Sequence, residues 1–363
     1  MPIYMDRHDV SETVTAEDIA QLHQEDLKIQ DKFDCKALTY WFDEKRKNAF
    51  CLMEAPDASA IHELHKQAHG EVPNRIIEVD AGIVESFLGR IQDPEKEKNE
   101  TLNIIRDGAF RIIMVIALKQ SSPLQSADEN FTTSFKKFSN KIIDTLNANE
   151  GKIVTQSQYH YLIPFTSASN AVHAATSIQS LFKNFNKNIQ ENIKLKIGLS
   201  AGLPVTKQPS FFEDAIKLAE RVCGFIKNEI IISSQVRELY ENENADTLNK
   251  TNILFLTKAD ENFIMQLMDY IDACWNDINL QVDDFTKTVH CSKSQLYRKL
   301  IALTGYSPNS FIKEYRLKKA LQLLNNNAGN ISEIAFETGF SSPSYFSKCF
   351  QKKYGCMPSQ FLA

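Results

Sequence analysis

The stretch HELHKQAHG, from His62 to Gly70, places three histidines within eight residues. On a helix, His65 and His69 lie one turn apart on one face, the spacing with which zinc helices present two imidazoles to an ion. His62 stands three residues before His65 and seven before His69. All three therefore share a broad face, although two ligands per helix is the usual number. Solvated helix residues, or satisfied groups at a dimer interface, produce the same pattern, and the residues alone leave both readings open. No nucleophile–base pair is readable beside them, so catalysis at this end of the chain is the lesser reading.

The elements that must position this helix read β-α-β-β-α-β. PIYMDRH is a short strand, and TAEDIAQLHQEDLKIQDKF is a helix opened by Thr15 as N-cap. KALTYWFDEKRKNAFCLMEA is two strands around the turn DEKRKN, DASAIHELHKQAHG is a helix closed at Gly70, and NRIIEV completes the pattern. This is the ferredoxin-like split βαβ order, and such sheets leave one face open that dimerisation often covers. A second block runs FRIIMVIAL, a helix rich in Phe and Lys, GKIVTQ, YHYLIPF, SASNAVHAATSIQSLFKNF, IKLKIGLSAG, FEDAIKLAERVCGFI and EIIISS. It is α+β, a sheet with flanking helices. The third block is all helical. The polar stretches QDPEKEKNETLN (92–103) and ENENADTLNKT (241–251) read as linkers. The expected units are 1–91, 104–240 and 260–363.

At 363 residues, 43% hydrophobic and 24% charged, the chain has the composition of a soluble multidomain protein. Its N-terminus lacks a basic region followed by an apolar run, and no apolar run nears the roughly 20 residues of a membrane helix. Seven scattered cysteines without a C-x-x-C pair point to a reducing, cytoplasmic setting. The net charge of −5 hides an asymmetry: from Asp283 onward there are 11 Lys and Arg against 5 Asp and Glu, and upstream 30 against 41. A basic end on an acidic body fits a polyanionic partner.

That basic end carries the strongest pattern. In VDDFTKTVHCSKSQLYRKLIALTG, a short helix (282–289) meets a corner at His290-Cys291, and Ser292 caps a second helix running to about Leu303. The pattern returns in ISEIAFETGFSSPSYFSKCFQKKYG, with Gly339 at the turn, Ser342 as N-cap and Pro343 at the first helical position. Between them, SFIKEYRLKKALQLL carries Phe311, Ile312, Tyr315, Leu317, Ala320, Leu321 and Leu324 near a helical period, so one connecting helix packs both units. From about Gln281 to Phe361 the sequence resembles the AraC family of transcription regulators. The matching residues include Ser307-Pro308, Phe311-Ile312, Arg316-Leu317, Ile334-Ala335, Gly339-Phe340, Ser344-Tyr345-Phe346, Lys348, Phe350, Gly355, Pro358 and Phe361. The resemblance implies a double helix-turn-helix bound to double-stranded DNA. Ser294, Tyr297 and Arg298 then face the major groove, with Ser292 and Lys293 on phosphates. In the second unit Ser344, Tyr345 and Lys348 take the corresponding face, with Lys352 and Lys353 nearer the DNA backbone, while Leu296, Leu300, Phe346 and Phe350 belong to the core.

The middle block resembles the class III nucleotide cyclase domain from about Phe110 to Tyr240, in RIIMVIAL, AVHAATSIQ, IGLSAG, AIKLAERVCGF and EIIISS. The family's two metal-binding carboxylate positions fall on Ala117 and Tyr159, and its base-selecting positions on Thr155 and Ser210. Lys217 stands for the transition-state Asn, and Arg221 alone remains of that pair. Without the carboxylates the two-metal reaction has no support, so this domain is expected to be catalytically dead, with dimerisation or ligand binding as its role and Arg221 as an exposed helix arginine. The first seventy-nine residues, through MPIYMDRHDV, TAEDIAQLH, LTYWFDE, AFCLMEAP and AHG, resemble a family of small ferredoxin-like domains, some of which bind nickel through histidines. The resemblance implies nickel or zinc on His65 and His69, joined by His8 on the first strand, with Asp6 as an oxygen ligand or supporting partner. The expected whole is a homodimeric, non-enzymatic, AraC-type DNA-binding regulator with a metal or small-molecule effector. The alternative is a metal-dependent enzyme or a nucleotide cyclase fused to a DNA-binding domain.

Overall fold

The computed structural model describes residues 1–95, 102–120, 129–187, 193–244 and 253–361. Parts of both expected linkers, 96–101 and 245–251, lie outside them. Strand β1 (Ile3–Asp9) is followed by α1 (Ala16–Ile29), β2 (Lys36–Asp43), β3 (Asn48–Glu54), α2 (Ala58–Ala68), β4 (Arg75–Val79) and α3 (Ala81–Leu88). The strands form an antiparallel sheet in the order β2-β3-β1-β4. Thr15 and Asp18 cap one another's backbone to start α1, as the sequence anticipates. Strand alternation separates the faces of β3: Ala49, Cys51 and Met53 pack with residues of α1 and α2, whereas Phe50 and Leu52 join a different cluster.

That second cluster alters the expectation of an open face left for a dimer partner. Met5, Trp41, Phe50 and Leu52 pack against Ile113, Val115, Phe212 and Ala219 of the middle block, so the chain covers the face itself. Helix α3, which the sequence reading passed over, fills the join with Val84, Phe87 and Leu88, and the Phe87 ring stacks on Phe212 at 5.0 Å.

The middle block consists of β5 (Arg111–Gln120), α4 (Glu129–Ala148), β6 (Thr155–Ser157), β7 (His160–Phe165), α5 (Ala168–Lys187), β8 (Ile193–Gly202), α6 (Glu213–Phe225), β9 (Ile230–Ile232), α7 (Ser234–Glu243) and β10 (Ile253–Phe255). Its sheet runs β10-β9-β8-β5-β7-β6. Of the anticipated strand GKIVTQ only the end falls in β6, although the Val154 amide also donates to the Leu162 carbonyl of β7 at 2.9 Å. Along β5, Ile112, Met114 and Ile116 pack with α4 and α5, while Ile113 and Val115 face α6 and the first sheet. Gly198 lets α6 lie directly on β8, because a Cβ there would come within 2.5 Å of the Ala219 carbonyl oxygen.

Six helices follow: α8 (Lys258–Cys274), α9 (Val282–Thr288), α10 (Lys293–Thr304), α11 (Pro308–Asn325), α12 (Ile331–Glu337) and α13 (Pro343–Tyr354). Helix α11 divides its apolar stripe between two cores. Phe311, Ile312 and Tyr315 pack with Leu296 and Leu300 of α10, Phe263 and Leu267 of α8, and Val222 of α6. Leu317, Ala320 and Leu324 pack with Ile334, Phe346 and Phe350. The first helical unit therefore shares one core with the middle block, and the second has its own.

Candidate nucleic-acid interface and metal centre

Each helical unit sets a capped helix behind a tight corner. His290 takes the left-handed conformation at φ 47°. Ser292 then accepts from the Gln295 amide while Gln295 accepts from the Ser292 amide at 2.9 Å, which fixes where α10 begins. Leu296 and Leu300 are buried on its inner face. Helical periodicity thereby turns Lys293, Ser294, Tyr297 and Arg298 outward, and all four are exposed, Tyr297 by 54%. In the second unit Ser342 caps α13, Phe346 and Phe350 are buried, and Ser344, Tyr345, Lys348 and Lys352 are exposed.

Two basic residues differ from expectation or from first appearance. Lys353 turns away from the other exposed residues of α13 to pair with Glu314 at 2.7 Å, and burial draws its pKa down against the pull of that carboxylate. Lys293 is exposed but pairs with Asp283 at 2.6 Å. Arg316 is structural. It donates to the Trp275, Asp277 and Gly339 carbonyls, clamping the corner of the second unit, and a Cβ on Gly339 would come within 2.9 Å of its guanidinium.

The histidines gather between the first sheet and its helices, beside a cavity of about 440 Å³. His65 is buried on α2 with carboxylates on both ring nitrogens: Nε2 lies 2.8 Å from Asp6 of β1, and Nδ1 lies 3.1 Å from Asp26 of α1. Burial opposes the imidazolium, but the bonds to Asp26 and Asp6 outweigh it and raise His65 to about 10. His8 and His65 beside Asp6, and His65 and His69 beside Asp26, hold both carboxyl groups below the ordinary carboxylate range despite their burial. His8 Nε2 stands 3.4 Å from Asp6 and is buried without a hydrogen-bond partner. His69, the residue that ends α2, sets its Nε2 3.2 Å from His65 Nδ1 and 3.3 Å from Asp26.

The three expected ligands thus meet at His65 but not at a single point. His8 approaches one ring nitrogen and His69 the other, because the two nitrogens of one imidazole point apart. Two donor groups result, Asp6–His8–Cys51–His65 and Asp26–His65–His69, each with its ligand atoms within 4.8 Å of one another. Ligands at about 2.0–2.1 Å from one ion stand roughly 3–4 Å apart; the Asp6–His65 and Asp6–His8 separations of 2.8 and 3.4 Å are of that order, and imidazole and carboxylate donors fit nickel or zinc. The sequence reading missed Asp26 and Cys51. The i, i+4 pair pointed at α2, whereas these two come from α1 and β3 and become neighbours only in the sheet. His62 is exposed and belongs to neither group.

In the middle block, Ala117 sits on β5 opposite His160 and Lys196, and the Tyr159 ring packs edge-on to Phe135 at 5.2 Å. Thr155 is exposed, and the Ser210 amide donates to Glu213. Arg221 contradicts its expected role as an exposed helix residue. It is 6% exposed and donates to Asp269 at 2.7 Å, Asp272 at 2.9 Å and the Met265 carbonyl. Lys217 joins Asp269 at 2.9 Å, and Asp272 also accepts from the Tyr315 hydroxyl. Lys217 and Arg221 thus fasten α6 to α8 and, through Asp272 and Tyr315, to α11. That use needed the placement of α8, which the sequence reading did not supply.

Paired helix-turn-helix units with outward polar helix starts define a DNA-binding class of domain. Comparison with known families agrees: residues 285–363 match the helix-turn-helix domain family, and residues 4–79 match the nickel responsive protein SCO4226-like family. The C-terminal domain of this chain is of the AraC type, and its N-terminal domain is SCO4226-like. Among curated proteins, a histidine kinase P4 of Formosa agariphila is 37% identical over 136 residues, covering 38% of this chain and 10% of the kinase. The HTH-type transcriptional regulator MtrA of Neisseria gonorrhoeae is 30% identical over 98 residues, 27% of this chain and 31% of MtrA. The chain thus spans a third or less of the length of these relatives. The crystal structure of SCO4226 from Streptomyces coelicolor A3(2) is 30% identical, covering 21% of this chain and 94% of that one, with a TM-score of 0.21. Among the described residues no helix is long and apolar enough to cross a membrane.

Proposed function

We propose that the chain is a sequence-specific transcription regulator that binds double-stranded DNA through its two helix-turn-helix units. The observation that carries the reading is the exposed set Ser294, Tyr297 and Arg298 on α10, with Ser344, Tyr345 and Lys348 on α13, each set backed by a buried inner face. Arg298 addresses guanine, Ser292 and Lys293 position the first unit on phosphates, and Lys352 does so for the second. The Arg298→Ala variant is expected to relax preference at one base position, a loss of about 1–3 kcal/mol in discrimination. Lys352→Ala should weaken binding to all sequences alike and reduce the salt slope by about one unit. Electrophoretic shift titrations across salt read both. Unchanged base preference in Arg298→Ala removes that residue from the interface.

The upstream part supplies regulation in this reading: a ferredoxin-like metal-binding domain (1–91) and a cyclase-like domain without catalysis (104–240) precede the DNA-binding domain (260–363), and the regulator works as a homodimer. Nickel or zinc is held by Asp6, His8 and His65, while Asp26 and His69 hold the far side of the His65 ring. The buried His8 Nε2, which stands 3.4 Å from Asp6 and makes no hydrogen bond, favours this side of His65. Such an ion would supply a fixed positive charge between Asp6 and His8 of β1 and His65 of α2. It acts as a signal only by binding two arrangements of the chain unequally. Elemental analysis and calorimetry with nickel and zinc test it: about one ion per wild-type chain is expected and none for His65→Ala. The competing cyclase reading requires product from a nucleoside triphosphate with manganese, and Ala117 and Tyr159 in place of carboxylates argue against it.

A further inference from the structure

A cavity of about 600 Å³ opens where the middle block meets the DNA-binding helices. Six lysines line it: Lys119 on β5, Lys194 and Lys196 on β8, Lys227 after α6, Lys318 on α11 and Lys353 on α13. Glu314 is the one acid among the lining residues, and it is already engaged by Lys353. So many ammonium groups around one space repel one another unless something negative lies among them.

Proton counting separates lysines that serve the fold from those left to bind. Lys196 spends all three of its N–H donors on the Ile226, Lys227 and Asn228 carbonyls, at 2.6–2.8 Å. Lys119 spends two on the Cys223 and Gly224 carbonyls at the end of α6, and Lys353 spends two on the Glu314 carbonyl and carboxylate. Among the described residues, Lys119 and Lys353 each keep one donor. Lys318 lies 5.0 Å from the Phe225 ring centre and, among the described residues, has no hydrogen-bond or ion-pair partner, so all three of its donors are free. Phe225, Leu321 and Tyr306 add an apolar wall.

We propose that this cavity is a binding site for a small organic phosphate, its phosphates on Lys119, Lys318 and Lys353 and its apolar part against Phe225, Leu321 and Tyr306. Lysine suits phosphate as a compact point charge, and the volume lies in the range of small-ligand sites, about 300–1,000 Å³. Burial and the neighbouring Lys318 pull Lys119 down to about 7, so a bound anion there also relieves a strained charge. DNA phosphate does not account for the site. The cavity touches Thr304 and Tyr354, at the C-terminal ends of α10 and α13. The base-reading residues Ser294, Tyr297 and Arg298 on α10, and Ser344, Tyr345 and Lys348 on α13, stand before those ends, about 9–15 Å away along the axis, and Lys353 turns from its exposed neighbour Lys352 towards Glu314. The walls belong to two blocks, joined here by the Lys227 amide donating to the Leu303 carbonyl at 3.0 Å, so a ligand braces their docking. The site does not depend on the regulator reading.

Calorimetric titration of the full chain with tripolyphosphate tests it. One site per chain is expected, with binding weakened on the order of tenfold or more in Lys318→Ala and unchanged in Lys136→Ala, an exposed lysine of α4. Lys318 is exposed and, among the described residues, engages only the Phe225 ring, so its loss leaves the fold in place, which circular dichroism checks. Absence of binding to the wild type, or binding that Lys318→Ala leaves untouched, overturns the proposal.

Discussion

His65→Ala, studied in chelator so that no metal contributes, is expected to destabilise the N-terminal domain by roughly 3 kcal/mol at pH 6. The reason is the pair of carboxylates left behind. Asp6 and Asp26 are 1% exposed, and removing one partner of a buried ionic group typically costs about 3–5 kcal/mol because the remaining charge is stranded. His8 and His69 still reach those carboxylates, which places the expectation at the lower end. The pH dependence has a definite sign. His65 is raised to about 10 in the folded chain, so its contribution is complete below about pH 6.5, the ordinary value, and disappears as pH rises through about 10. Asp6 and Asp26 are held low, so their contribution is present above the ordinary carboxylate range and lost as pH falls through their depressed values. Urea denaturation of wild type and variant at pH 6, 8 and 10 should show the gap closing with rising pH. A variant within about 0.5 kcal/mol of wild type at pH 6 contradicts the buried-pair account.

Phe311→Ala should cost about 3–5 kcal/mol, the usual range for emptying a fully buried aromatic position. Its ring is 1% exposed and packs at 5.4 Å from Phe225 of α6, inside a core that also holds α8 and α10. The loss should appear in two places, the first helix-turn-helix unit and its docking on the middle block. Phe346→Ala, with a ring just as buried, touches only the second core. Hydrogen exchange should therefore quicken in α6, α8, α10 and the first half of α11 for Phe311→Ala, and in α12 and α13 for Phe346→Ala. Equal effects in both variants mean that the helical block unfolds as one piece.

The double helix-turn-helix was the most legible part of the sequence because its determinants are local. Ser292 and Ser342 cap, Gly339 turns, and one helical period carries the core. The β-α-β-β-α-β order was legible for the same reason, through alternation, Thr15 and Gly70. What sequence reading missed depends on placement. Helix α3 carries its own signals in Asp80 and Gly89, both of which cap it, but it is short and its importance lies in joining two sheets. Arg221 looked like a surface residue because the carboxylates that bury it lie 48 and 51 positions further along the chain. At the histidine cluster, a helical spacing identified His65 and His69, yet no spacing rule joins them to Asp26 on one helix and Cys51 on a strand. The covered face of the first sheet was likewise beyond reach, since alternation tells that a face is apolar and not what meets it.

The central claim is that α10 and α13 read DNA sequence, and binding-site selection by the full chain from a random duplex library tests it most directly. The account predicts an enriched site with two contacted segments about one helical turn apart, roughly 10–10.5 base pairs, whose preference at one position is lost in Arg298→Ala. A pool that stays random after selection, with retention set by salt alone, would contradict it.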